Sequence, residues 1–157
     1  MSLRDEIKQT KPFSSPAEEA TLNIVRTAEV IRTMGAERLK PYGITITQYN
    51  VLRILRGAGA AGLPCGQIAD RMVTQDSDIT RLLDRLSSMG LIERGRSETD
   101  RRVVTTVLSA DGRKLLTKLD PVVKQLNHDL LGQLDERTIA AMIRGLEQIR
   151  ERAVTPA

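Results

Sequence analysis

Gln75-Asp76-Ser77-Asp78-Ile79-Thr80-Arg81-Leu82-Leu83-Asp84-Arg85-Leu86-Ser87-Ser88-Met89-Gly90 is the stretch that decides the fold of this chain. Ile79, Leu82, Leu83 and Leu86 recur at i, i+3, i+4 and i+7, the stripe of an amphipathic helix with one buried face. At about 100° per residue, Ser77, Arg81, Asp84 and Ser88 fall on the opposite face, flanked by Asp78, Thr80 and Arg85. Thr74 is placed to cap this helix and Gly90 to end it.

Just upstream, Pro64 precedes a second short helical pattern over Cys65 to Met72, with Ile68, Ala69 and Met72 on one face. Two short helices joined by a turn at Val73 and Thr74 make a helix-turn-helix. Downstream the period changes. Leu91-Ile92-Glu93-Arg94-Gly95-Arg96 and Arg102-Val103-Val104-Thr105-Thr106-Val107-Leu108 suit strands, and the polar run Ser97 to Arg101 joins them as a hairpin. The expected lobe, residues 48–108, is therefore a winged helix-turn-helix.

The chemistry of the lobe suits double-stranded DNA. In a helix-turn-helix the N-terminal part of the second helix enters the major groove, which places Gln75, Ser77, Asp78, Thr80 and Arg81 toward base edges and phosphates, with Arg85 beside them. Arg81 can donate a fork to guanine and Gln75 can pair with adenine; Ser77 and Thr80 can bond phosphate or base. Carboxylates in the first turn also stabilise a helix dipole and repel phosphates, so a plain solvated face is the alternative. Asp78 can hold Arg81 at i+3 or accept from a cytosine amino group. On the hairpin, Arg94, Arg96, Arg101 and Arg102 suit a narrow, electronegative minor groove, while Glu93, Glu98 and Asp100 are available to pair with them.

Helices flank the lobe. Ser15-Pro16-Ala17-Glu18 has the form of a capping box with Pro at the first helical position, and Leu22, Ile24, Val25, Ala28, Ile31 and Leu39 carry a long helix to Pro41. Thr47 can cap a helix through Val51, Leu52 and Leu55 that stops in the glycine-rich loop from Gly57 to Gly62. Ser109 can cap another, with Pro121 as its expected kink or interruption and Gly132 near its end. A last helix follows Asp135, where Ile139, Met142, Leu146, Ile149 and Ala153 step by 3, 4, 3 and 4. That rhythm fits a helix packed along another, within the chain or across a dimer. The fold class is mainly α with a small β-hairpin wing.

Composition bounds the rest. The 157 residues suit one domain, and 40% hydrophobic with 28% charged residues is ordinary for a globular protein. Phe13, Tyr42 and Tyr49 are the whole aromatic set, which argues for an aliphatic core and against aromatic stacking on single strands. A single cysteine, Cys65, and a single histidine, His128, exclude a disulfide framework and leave no zinc-ligand pattern; neither metal nor cofactor is expected. Neither a signal-like N-terminus nor a run of about 20 apolar residues is present, so a cytoplasmic protein with no membrane partner is expected. No nucleophile elbow, phosphate loop or H-E-x-x-H points to an enzyme.

The net charge of +4 is a weak pointer to nucleic acid, because the six arginines from Thr74 to Arg102 are balanced by six acids. Placement carries the argument. A winged-helix module that binds protein instead of DNA, and a redox regulator using Cys65, are the competing readings.

The order Ile46-Thr47-Gln48, Gln67-Ile68-Ala69, Ile79 to Leu86, Gly90-Leu91-Ile92-Glu93-Arg94, Asp100-Arg101-Arg102 and Leu108-Ser109-Ala110-Asp111-Gly112 resembles the MarR family of bacterial transcriptional regulators. The resemblance implies a single domain over residues 1–157, with dimerisation helices in 16–40 and 110–153 flanking the DNA-binding lobe. It implies a homodimer, with Leu22, Val25, Ile139, Met142, Leu146 and Ile149 as interface candidates. It also implies that Asp100 and Arg102 shape the wing, that Arg101 or Arg102 reaches the minor groove, and that a small phenolic or anionic effector releases a repressor from its operator. In the redox-sensing branch the cysteine lies in the first helix, a position Cys65 does not match.

Overall fold

The computed structural model describes residues 1–74, 78–96 and 104–154. A short helix α1 (Leu3–Glu6) precedes the long α2 (Pro16–Leu39) and is tied to it by Glu6 and Arg26, 3.2 Å apart. At the start of α2, Ser15 Oγ accepts the Glu18 N–H at 3.1 Å and Pro16 takes the first helical position, as the sequence pattern requires. The return half of the box is displaced by one residue. The Glu18 carboxylate accepts from the N–H and hydroxyl of Ser14, which hold it below the usual carboxylate range.

Helix α3 (Ile46–Ala58) is capped by Thr45 and not by Thr47. Thr45 Oγ1 accepts the Gln48 N–H at 3.1 Å, and Gln48 Oε1 accepts the Thr45 N–H at 2.9 Å. Thr45 prevails because its third residue on is a glutamine able to complete a reciprocal capping box. Beyond a short turn, Gly59–Ala61, comes a strand that the sequence did not disclose, β1 (Leu63–Pro64).

Helices α4 (Cys65–Asp70) and α5 (Ile79–Ser88) form the helix-turn-helix. The helix expected from Thr74 instead has Asp78 as its cap, with the carboxylate accepting the Arg81 N–H at 3.1 Å. A carboxylate at that position both satisfies an end N–H and complements the helix dipole. The expected end holds. Gly90, at φ +71°, gives its N–H to Ser87 and Leu91 gives its N–H to Leu86, a Schellman closure that Leu91 and Leu86 bury.

The hairpin pairs β2 (Ile92–Arg96) with β3 (Val104–Leu108), from Ile92 opposite Leu108 to Arg96 opposite Val104. β1 adds to the other edge of β3, giving the antiparallel order β1-β3-β2. Ser109 caps α6 (Ala110–Leu131) by accepting the Gly112 N–H at 3.0 Å. Pro121 does not interrupt α6, which runs unbroken to the Gly132 cap. Buried Leu116, Leu119 and Leu126 on both sides of Pro121 hold the helix together against the missing N–H. Asp135 accepts the Thr138 N–H at 2.7 Å at the start of α7 (Glu136–Val154).

The core is aliphatic, as the composition requires. Val51, Leu52 and Leu55 of α3 are completely buried among Ile68, Leu83, Leu86, Leu116 and Leu119. α3 is therefore the centre of the lobe, with α4, α5 and the sheet around it and α6 carrying the core toward α2. Arg38 and Asp129, 2.6 Å apart, add an exposed ion pair between α2 and α6. Among the described residues, no helix is long and apolar enough to cross a membrane.

Candidate nucleic-acid interface

Polarity divides α5 lengthwise. Leu83 and Leu86 are buried and Ile79 and Leu82 pack partly against the same core, while Thr80, Arg81, Asp84, Arg85 and Ser88 are exposed. Among the described residues, neither Arg81 nor Arg85 is held in an ion pair. Asp78 acts as a backbone cap, so the helix itself uses one of the carboxylates that the sequence left between several roles. Gln75 and Ser77 lie outside the described residues, as do Asp100, Arg101 and Arg102 of the wing.

The described part of the wing sorts its arginines. Arg96 is exposed at the end of β2 and forms no ion pair among the described residues. Arg94 turns to α5: its Nη1 stands 2.7 Å from Asp84 Oδ1, and its Nη2 donates to the Thr80 carbonyl at 3.3 Å. The sequence offered Glu93, Glu98 and Asp100 as partners for wing arginines. Asp84 was missed because its link to Arg94 is tertiary, and no local spacing announces it.

The other candidate surface is apolar. Of the residues expected at a dimer interface, Leu22 and Ile139 are half-buried, and Val25, Met142, Leu146 and Ile149 are exposed at 62, 42, 37 and 54%. Ile143, Ile31 and Val30 belong with them at 51, 43 and 40% exposure, which widens the face beyond the a/d stripe. Ile143 was legible as the neighbour of Met142 on a helix whose apolar arc exceeds a two-position seam. So much unburied aliphatic surface on α2 and α7 marks an interaction surface.

Cys65 is half-buried at the first position of α4 and forms no disulfide. His128 sits in the last turn of α6, where its carbonyl accepts the Gly132 N–H at 2.7 Å.

A helix-turn-helix followed by an antiparallel wing, carried on long helices that leave apolar faces open, defines a winged helix-turn-helix regulator. Comparison with known proteins narrows the class. The profile of the MarR family matches residues 44–104. The chain is 37% identical in sequence to a MarR transcription factor from Planctomyces limnophilus; the match covers 87% of this chain and 99% of that one, with a TM-score of 0.66. YsmB of Bacillus subtilis, an uncharacterised regulator of the helix-turn-helix type, is 27% identical over 78% of this chain and 83% of its own length. A mutant MarR from E. coli complexed with operator DNA shares the fold at 24% identity and a TM-score of 0.72, over 95% of this chain and 99% of that one. The chain belongs to the MarR family of transcriptional regulators.

Proposed function

We propose that two copies of this regulator pair through the helices in 16–40 and 110–153 and set their lobes, residues 48–108, on successive major grooves of a pseudo-palindromic operator. The observation that carries this reading is the division of α5: Leu83 and Leu86 anchor it in the core while Thr80, Arg81 and Arg85 stand exposed at its outer face. Gln75, Ser77 and Asp78 complete the reading end, and Arg96, Asp100, Arg101 and Arg102 supply the wing's contacts. Arg94 contributes by holding the wing against α5. The solved complex of a mutant E. coli MarR with operator DNA, a fold relative, supports the reading that this chain binds an operator.

In this reading the chain acts by binding and not by catalysis, in the cytoplasm where its DNA lies. It is a repressor released by a small phenolic or anionic effector seated between lobe and dimer helices, an assignment that rests on the family. A gel-shift titration on the chain's own upstream DNA tests the proposal. Arg81→Ala should weaken specific binding by about 1 to 3 kcal/mol and relax sequence choice. Equal loss on every sequence, or no shift by the wild-type protein at low salt, contradicts it.

A further inference from the structure

Asn50 lies on α3, outside every group assigned above, yet its side chain is committed to a backbone group far along the chain. Asn50 Oδ1 accepts the Val73 N–H at 2.9 Å. Val73 belongs to the turn between α4 and α5. The two residues before it close the end of α4 locally, with the Arg71 N–H on the Ile68 carbonyl and the Met72 N–H on the Ala69 carbonyl, both at 3.1 Å. Val73 is the first to leave that pattern, and its N–H crosses to α3.

A turn can be held by burying its side chains or by hydrogen-bonding its backbone. Burial reaches Met72, which packs partly against the core, and among the described residues of the turn it stops there: Val73 is 86% exposed, and Arg71 and Thr74 are exposed as well. The bond to Asn50 is the tether. At the far end of α5, Gln48 of the same helix α3 directs Nε2 to Met89 Sδ at 3.8 Å. α3 is in turn fastened to α6 where Arg56 Nη1 meets the Asp120 carboxylate at 2.9 Å. One helix thus bonds to the turn ahead of the recognition helix and to the residue that ends it, and is itself fixed to the element that carries the lobe.

We infer that Asn50 is a positioning residue for sequence reading: by fixing the entrance to α5 it sets how that helix meets base edges. The inference rests on the proposed DNA binding. Hydrogen bonds to base edges lose strength steeply with angle, whereas contacts to phosphates tolerate displacement and supply non-specific affinity. Losing the tether should therefore cost discrimination and spare general affinity.

The test uses the full chain as wild type, Asn50→Ala and Asn50→Asp. Fluorescence anisotropy measures binding to the upstream DNA and to a random duplex of equal length over a range of salt, and NMR follows hydrogen exchange at the Val73 amide. Asn50→Ala should lower the ratio of specific to random affinity by about three- to tenfold. It should leave random-duplex affinity and the salt slope unchanged and speed exchange at Val73. Asn50→Asp keeps an acceptor, so it should restore the Val73 protection and most of the ratio, its added charge lowering both affinities together. A ratio that survives Asn50→Ala overturns the inference alone, as does a wild-type Val73 amide that exchanges as fast as that of exposed Thr74. Absence of discrimination in the wild type overturns the DNA reading and the inference with it.

Discussion

Arg94 on β2 and Asp84 on α5 stand 2.7 Å apart, and the same guanidinium donates to the Thr80 carbonyl, so one side chain joins the wing to the recognition helix. The Asp84 carboxylate is 60% exposed, and such a pair contributes about 1 kcal/mol or less to stability. Its consequence should be read in DNA binding. Arg94→Ala and Asp84→Ala should each weaken operator binding several-fold, and the double variant should be no worse than Arg94→Ala. A brace that neutralises no phosphate should leave the salt slope steady. A slope reduced by about 0.9 in Arg94→Ala would make it a phosphate contact.

Gly112 lets the first turn of α6 lie against the start of the wing. A Cβ there would run into the Leu91 carbonyl oxygen and the Leu108 side chain. The same carbonyl accepts the Ser109 N–H at 3.1 Å, so it is held from both sides and cannot give way freely. Gly112→Ala should therefore destabilise the chain by about 1 to 3 kcal/mol, despite the better helix propensity of alanine. Urea denaturation of the two proteins measures the difference.

The apolar face of α7 should be the dimer contact. Leu146→Glu places a carboxylate where an interface would exclude water, and should weaken dimerisation by about 3 kcal/mol or more. Sedimentation velocity should then show a monomer at concentrations where the wild type is a dimer, with the helical circular dichroism retained. A Leu146→Glu protein that stays dimeric would remove α7 from the interface.

Asp135 caps α7, and hydrogen bonds from the Thr138 backbone N–H and side-chain hydroxyl lower its pKa from the ordinary 3.8. A carboxylate with a depressed folded pKa stabilises the fold above its unfolded value, and that contribution fades as pH falls through the folded value. Asp135→Asn keeps a competent cap without the titration. Thermal unfolding between about pH 7 and 2 should show a shallower acid limb in the variant, the difference opening below about pH 4.

Much of this architecture was legible because its signals are local. The stripe Ile79, Leu82, Leu83 and Leu86 disclosed the recognition helix, and Gly90 its end; Ser109 and Ser15 marked helix starts through side chains three residues from their partners. Failures came where two residues could do the same work or where the partner was remote. Thr47 and Thr74 are acceptable caps in isolation, and Thr45 and Asp78 displaced them. Strand β1 has only Leu63 and Pro64, too short for any period to show. Of the kink or interruption expected at Pro121, the interruption does not occur, since tertiary burial around it outweighs a single missing bond. At the site, the exposed arginines of α5 were found from helical geometry. Asp84, Asn50 and Gln48 were not, because their partners lie 10, 23 and 41 residues away.

The central claim, that a dimer reads two adjacent grooves, is tested most directly by spacing. Once footprinting has located the operator, about 5 base pairs inserted at its centre rotate one half-site to the opposite face of the duplex, and about 10 restore the face at a greater distance. Titrated against these duplexes, the protein should bind the native spacing as two chains per site and lose at least tenfold in affinity with the half-turn insertion. Equal affinity at every spacing, or saturation with one chain per site, would contradict the account.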